Sequence, residues 1–297
     1  MTYLISLISD HLLPSYLFIK EMEGKYDELL FITTAQMMKR GNGFRLEKAL
    51  NIPEQSVRGI KVSEENLNDT LMKLESAHFA IEDRFIVNLT GGTKIMSIGC
   101  YAFFSTLASE FYYIPIGKNT IENVLTSTVI PLNYRLNVKE YLSLYGLRIE
   151  ETANHTQNIG IQFEREIFNR IKKEKQLKNG FIYSGIKLFR YGSEKINDNE
   201  IDVIWTHENQ LFVGECKRSL SRPMTSVADY LDQIMYKLAA ISKDFGIQVN
   251  MYIFIKLNFS QKTFNEDRMK AINKRMNILG IKGLLTAKDL KKQQLEI

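Results

Sequence analysis

The sequence predicts a two-domain α/β protein, and three observations carry that prediction. Its 297 residues are more than one core of ordinary size needs, at about 100–200 residues per domain. The first half alternates apolar, strand-like runs with helical ones, the pattern of a parallel sheet covered on both faces. From Ile159 the pattern changes to a helix followed by closely spaced strand-like runs.

Taken in order, Tyr3–Ile8 is a short apolar strand, followed by a helical pattern through Leu12, Tyr16, Ile19 and Met22. Glu28–Thr34 is a second strand and Met37–Leu50 reads as one helix. Ile60–Val62 is a short third strand before the polar helix Glu64–His78. Arg84–Leu89, the small-residue helix Lys94–Leu107 and Phe111–Ile116 complete the alternation. Asn123–Ile130 is expected to add one antiparallel strand. Asn137–Tyr145 is a helix ended by Gly146, since glycine supplies the left-handed conformation beyond a helix. The polar, aperiodic stretch 150–158 is the expected linker, which divides the chain into domains at 1–148 and 159–297 with 149–158 between them. Beyond it, Phe163, Ile167 and Ile171 recur at helical spacing. Strands are then expected at Gly180–Phe189, Glu200–Trp205 and Gln210–Glu215, with a helix at Ser226–Ser242, a strand at Val249–Ile255 and a basic helix from Glu266.

Composition narrows the function. With 44% hydrophobic residues, 17 Gly and five Pro, the chain is neither collagenous nor disordered. The apolar N-terminus lacks a basic start and is broken by Asp10 and His11, so neither a secretion signal nor a membrane span is expected. Two cysteines, Cys100 and Cys216, suit a reducing cytoplasm and cannot make a zinc site by themselves. Residues 1–150 hold 15 basic and 17 acidic side chains and residues 151–297 hold 24 and 17, so the halves carry net −2 and +7. A basic second half suits a polyanionic partner, although on charge alone a solvated basic surface explains it as well.

The most informative stretch is Glu200–Lys217. Two apolar runs flank a polar turn centred on Glu208-Asn209, the pattern of a hairpin. Pairing symmetric about that centre sets Asp202 opposite Glu215. Strand periodicity puts Glu215 and Lys217 on one face with Cys216 pointing away. Two carboxylates so close repel unless a cation lies between them, and hard oxygen donors suit Mg²⁺ or Mn²⁺. A lysine beside them can stabilise a developing hydroxide, take its proton, or hold a phosphate. A surface hairpin with ordinary ion pairs is the bland alternative; the basic Arg218 and Arg222 that follow weigh against it.

These residues resemble the D…E-x-K core of the PD-(D/E)XK nuclease superfamily, with Asp202, Glu215 and Lys217 at the matching positions. The proline that names the motif is absent, since Ile201 precedes Asp202. The helix containing Ile161-Gln162-Phe163-Glu164 resembles the first helix of that fold, and the resemblance implies that Glu164 joins Asp202 and Glu215 at the metal. Gln233, Tyr236 and Lys237 on the following helix are weaker candidates, because their spacing is Q-x-x-Y and not the Q-x-x-x-Y of the RecB-like branch.

In the first half, Asn88-Leu-Thr-Gly-Gly-Thr-Lys-Ile-Met96 sits where a strand hands over to a helix. Gly91 and Gly92 let the backbone approach a ligand, the helix N-terminus offers free N–H groups, and Thr90, Thr93 and Lys94 add donors. The spacing is neither that of a P-loop nor of a dinucleotide fingerprint, and Gly41-Asn-Gly43 reads as a simple turn. Ligands of open α/β sheets bind at the carboxyl ends of strands, where Ser9-Asp10-His11 and Thr33-Thr34 also fall.

Residues 1–146 resemble a CARF domain, the Rossmann-like sensor of type III CRISPR ancillary proteins. The N-L-T-G-G-T-K-I-M stretch is the strongest match. Leu7–His11 with Pro14-Ser15, and Val138–Leu142 with Tyr145-Gly146, also look familial. The resemblance implies a homodimer binding a cyclic oligoadenylate (cyclic tetra-adenylate, or hexa-adenylate) through Ser9, Asp10, His11, Thr33, Thr34 and Thr90–Lys94. Joined to a PD-(D/E)XK domain, it implies an activated, metal-dependent nuclease acting on DNA, and in some members RNA. The chain is too short for the winged-helix-like insert some relatives carry. Two other readings stay open on the residues alone: a constitutive restriction- or repair-type nuclease, and a non-catalytic nucleotide-sensing regulator.

Overall fold

Two sheets with separate cores divide the chain into Met1–Arg135 and Leu136–Ile297. The computed structural model describes residues 1–53, 57–151, 158–192, 195–218, 227–246, 249–257 and 266–297. The division falls earlier in the chain than the polar stretch 150–158, whose residues 152–157 lie outside the described residues.

In the first unit, β1 (Thr2–Leu7), β2 (Glu28–Thr33), β3 (Arg58–Lys61), β4 (Arg84–Asn88) and β5 (Ala108–Tyr113) pair in parallel. The pair β6 (Thr120–Asn123) and β7 (Val129–Pro131) adds antiparallel strands, giving the order β3-β2-β1-β4-β5-β6-β7. Helices α1 (Leu13–Glu21), α2 (Ala35–Lys39), α3 (Asn42–Ala49), α4 (Leu67–Glu75) and α5 (Lys94–Phe104) connect the parallel strands. Ile5, Leu7, Phe85 and Val87 form one core with Leu74 of α4 and Cys100 and Phe104 of α5. On the opposite face Phe18 of α1 meets the ring of Tyr112. The strands are therefore buried on both faces, as their continuous apolar runs require. Strand order reverses between β1 and β4, so the segments after these two strands flank a topological switch point.

Two expected elements are each two. The helix expected over Met37–Leu50 breaks at Gly41, whose φ of 68° is left-handed, a conformation glycine adopts without a Cβ clash. The strand expected over Asn123–Ile130 is the β6–β7 hairpin. There Asn123 Oδ1 accepts the N–H groups of Leu125 and Thr126, each at 3.0 Å, and turns the chain.

The second unit begins with α6 (Val138–Leu144), capped by Asn137, and β8 (Leu147–Glu151). β8, β9 (Ile182–Arg190), β10 (Lys195–His207) and β11 (Gln210–Lys217) form an antiparallel meander. β12 (Val249–Ile255) and β13 (Ile281–Leu285) then run parallel to β11, in the order β13-β12-β11-β10-β9-β8. The remaining helices are α7 (Ile159–Glu174), α8 (Val227–Ser242) and α9 (Glu266–Leu279). Phe163, Ile167 and Ile171 of α7 cover one face, packing with Val203, Trp205, Cys216 and Phe254. Trp205 is fully buried.

At Gly214 the sheet leaves no room for a side chain: an added Cβ would lie 2.7 Å from the ring of the fully buried Phe254. Gly214→Ala is expected to destabilise the chain by about 1–3 kcal/mol through overpacking, read as a lower urea midpoint at unchanged slope.

Candidate active site and ligand rim

The β10–β11 hairpin turns through Glu208 and Asn209, both at positive φ (49° and 59°). That is the backbone of a two-residue hairpin loop whose twist matches its strands. Asn209 tolerates the conformation well, and its Oδ1 accepts the Leu136 N–H at 3.0 Å. The turn fixes the register, with His207 opposite Gln210 and Val203 opposite Gly214, so the next step sets Asp202 against Glu215.

Both carboxylates are buried, Asp202 to 7% and Glu215 to 2% exposure. Asp202 Oδ2 accepts the Cys216 N–H at 2.6 Å and lies 3.4 Å from Lys217 Nζ. Lys217 Nζ is 2.6 Å from Glu215 Oε1. As the structure stands, this ammonium is the cation between the two acids. A second one, Lys237 of α8, donates to both Glu215 oxygens at 2.9 Å. Cys216 turns the other way, into the α7 core, as the alternation requires.

Charge crowding marks the site. Burial and then Glu215 push Asp202 up to about 6. Burial, followed by Asp202 and Glu200, pushes Glu164 up to about 7. Burial pulls Lys217 down, but Asp202 and Glu215 outweigh it and hold the ammonium above the ordinary lysine range. Lys217 is thus a firm cation here, which favours phosphate or hydroxide stabilisation over proton abstraction.

Glu164 therefore stands within electrostatic reach of the other two acids. Among the described residues no three His, Cys, Asp or Glu side chains form a ready metal-holding group; Glu215 is turned into its two lysines. The donor chemistry nevertheless fits a hard divalent cation, because Asp202 and Glu164, each pushed up in part by neighbouring carboxylates, are relieved by added positive charge. Arg218 is exposed at the end of β11, whereas Arg222 lies outside the described residues. Gln233 and Tyr236 are exposed on α8. Of that weaker group the structure brings Lys237 alone onto a site carboxylate.

The sign of the pH effect follows. Folded Asp202 and Glu164 hold protons up to about 6 and about 7, above the ordinary 3.8 and 4.5. Between about pH 4 and about pH 7 the folded state thus binds more protons than the unfolded one, and stability falls as pH rises. The metal-free melting temperature is expected to drop across that window, less steeply in Glu164→Gln. Mn²⁺ is expected to raise it more at about pH 7.5 than at about pH 5. An equal gain at both would remove these carboxylates from the metal site.

In the first unit, the turn after β4 needs both its glycines. Gly91 (φ 102°) would set a Cβ 3.0 Å from Leu7 O and 3.2 Å from Ser9 Oγ, and Gly92 (φ 64°) would meet Met96 at 3.3 Å. The turn lies against the end of β1, at the switch point. Thr90 is buried, and its Oγ1 accepts the Ile114 N–H at 2.7 Å. Thr93 caps α5 and donates to Glu64 O at 2.8 Å, while Lys94 is exposed on the first helical turn.

Ser9 Oγ donates to His11 O, and burial lowers the His11 pKa. Thr33 and Thr34 are buried, and Thr34 caps α2 through the Met37 N–H. The Gly41 break contributes more than a turn. It brings Arg40 onto Asp10 as an ion pair, and Asn42 onto Ser9 O (2.8 Å) and Asp10 Oδ1 (3.2 Å). A cavity of ≈ 460 Å³ opens beside Thr34, lined also by Lys61, Ser63, Glu64, Asp69 and Lys73. Arg40, Asn42, Lys61 and Lys73 are rim groups that sequence reasoning missed. The R-G-N-G run at 40–43 was the available signal for the first two.

An N-terminal doubly wound sensor-like unit followed by a sheet carrying D…E-x-K defines a two-domain nuclease architecture, and comparison with known proteins makes the assignment specific. Residues 3–141 match the Card1 CARF domain family and residues 153–296 the Card1-like endonuclease domain family. The two matches together span nearly the whole chain, which belongs to the Card1-like CARF-domain endonucleases.

Among solved structures it is similar to Can2 from Sulfobacillus thermosulfidooxidans in complex with cyclic tetra-adenylate. That match has TM-score 0.74 and 18% identity, and covers 97% of this chain and 96% of that one. Protein VC1899 from Vibrio cholerae matches with TM-score 0.72 and 13% identity, over 98% and 95% of the two chains. A type III CRISPR defence DNA nuclease activated by cyclic oligoadenylate matches with TM-score 0.55 and 15% identity, over 92% of this chain and 51% of that one. No curated protein matches. Among the described residues no helix is long and apolar enough to cross a membrane.

Proposed function

We propose that the chain is a metal-dependent nuclease of DNA, with RNA as a second substrate class, switched on by a cyclic oligoadenylate bound to its first unit. The observation that carries the nuclease reading is the convergence of Asp202, Glu215 and Lys217 on a buried sheet end. A binding module gains nothing from holding two carboxylates where a phosphate must approach.

Asp202 and Glu215, with Glu164, would hold Mn²⁺ or Mg²⁺, which would lower the pKa of a water and offset phosphate charge. The Cys216 N–H orients Asp202. Lys217, kept protonated by its acids, offers its charge to the scissile phosphate.

For the activator, Can2 supports cyclic tetra-adenylate as the first ligand to try. The exposed Lys94 and the glycine turn, with Ser9, Asp10, His11, Thr33, Thr34, Thr90 and Thr93 around them, are the proposed binding rim. A symmetric ring suits a homodimer, since each protomer then offers the same pocket to half the ligand. The test is incubation with labelled DNA and RNA in Mn²⁺, with and without EDTA. Cleavage that survives EDTA would overturn the metal dependence, and none on any substrate with any activator would overturn the nuclease reading.

A further inference from the structure

Glu215 is 2% exposed and cannot turn to water, and a buried carboxylate left without a cation is costly. Lys237 answers that need. Its Nζ spans both Glu215 oxygens at 2.9 Å and also donates to Glu200 O at 3.3 Å. Buried Ile234, Met235 and Leu238 seat this stretch of α8 in the core, so Lys237 is aimed at the acid by the helix itself. Lys217 is placed differently, touching Asp202 as well as Glu215. The Lys237 side chain retains 29% exposure, so unlike Glu215 it has a way out to solvent.

We propose that Lys237 is a positioning residue that holds Glu215 in place until a divalent cation takes the carboxylate over, and that it thereby sets the affinity for the metal. This rests on the metal-dependent reading of the site. An ammonium and a hard cation compete for the same carboxylate lone pairs, so metal binding must displace one from the other. Removing the competitor tightens metal binding even as it strips the metal-free site of a partner.

The experiment is calorimetric titration of the full chain with Mn²⁺ alone, without nucleic acid, in wild type, Lys237→Met, Lys237→Gln and Lys237→Arg. Lys172→Met, on the end of α7 beside Asn179, controls for loss of one positive charge. Lys237→Met and Lys237→Gln are expected to lower the Mn²⁺ Kd about tenfold, while Lys237→Arg and Lys172→Met stay near wild type. In urea, Lys237→Gln is expected to lose stability without Mn²⁺ and to recover it with Mn²⁺. If Lys237→Met does not fold, Lys237→Gln carries the comparison, since it keeps a donor of similar reach. An unchanged or weaker affinity in the folded neutral variants would overturn the proposal while leaving the nuclease reading intact. Absence of Mn²⁺ binding in wild type would instead overturn the metal-dependent reading and this proposal with it.

Discussion

Replacing Glu215 or Lys217 by Ala is expected to lower Mn²⁺-dependent cleavage of labelled DNA by roughly 10²–10³-fold or more, with activator binding unchanged. Each substitution removes a different part of the chemistry. Without Glu215 the cation loses a ligand and two lysines lose the acid they flank. Without Lys217 the phosphate loses a fixed charge in a water-poor site, where one such donor is worth about 10²–10³ in rate. Glu215→Gln separates charge from packing, because it keeps the volume and the hydrogen-bonding reach. It is expected to fold with a near-native circular dichroism spectrum and still to be inactive. Near-native rates in Glu215→Ala and Lys217→Ala would place the chemistry elsewhere in the chain.

Asp202, Glu215 and Lys217 were legible because every inference linking them is local. A two-residue turn sets the register, and a period of two assigns each residue to a face. Lys237 was named only among weak candidates, since its role depends on how α8 lies on the sheet, twenty residues after Lys217, and local spacing does not encode that packing. The edge strand β8 straddles the expected boundary, with Leu147 and Arg148 assigned to the first domain and residues 149–151 to the linker. Its Leu147 and Ile149 alternate with polar Arg148 and Glu150, too short a pattern to stand out. Its strand character comes from pairing with β9, Leu147 opposite Arg190 and Glu151 opposite Ile186. β13 escaped for a similar reason, being five residues with a central Gly283. The rim of the first unit divides in the same way. Gly91 and Gly92 were legible as a turn, whereas the approach of Arg40 and Asn42 to Asp10 depends on β1 and β2 lying side by side.

Saturating cyclic tetra-adenylate is expected to raise the initial cleavage rate about 100-fold over the ligand-free protein, at fixed Mn²⁺ and low salt. By linkage, suppression of that size requires only about 3 kcal/mol of differential ligand affinity between the inactive and active states. A polyanionic ring meeting two copies of a rim that bears Lys94, helix N–H groups and threonine hydroxyls can supply it, since charge-assisted hydrogen bonds contribute about 1.5–3 kcal/mol each. Lys94→Glu tests that source directly. Lys94 is exposed at the first position of α5, and its side chain takes no part in the Thr93 cap, so the reversal should leave the fold intact. It is expected to weaken activator binding at least tenfold in calorimetry and to return the rate toward the ligand-free level. Metal-dependent basal cleavage should remain. Unchanged affinity for every cyclic oligoadenylate tried would remove Lys94 from the rim. Equal rates with and without saturating ligand would overturn the switch and leave a constitutive nuclease, whose carboxylate site needs no signal from the first unit.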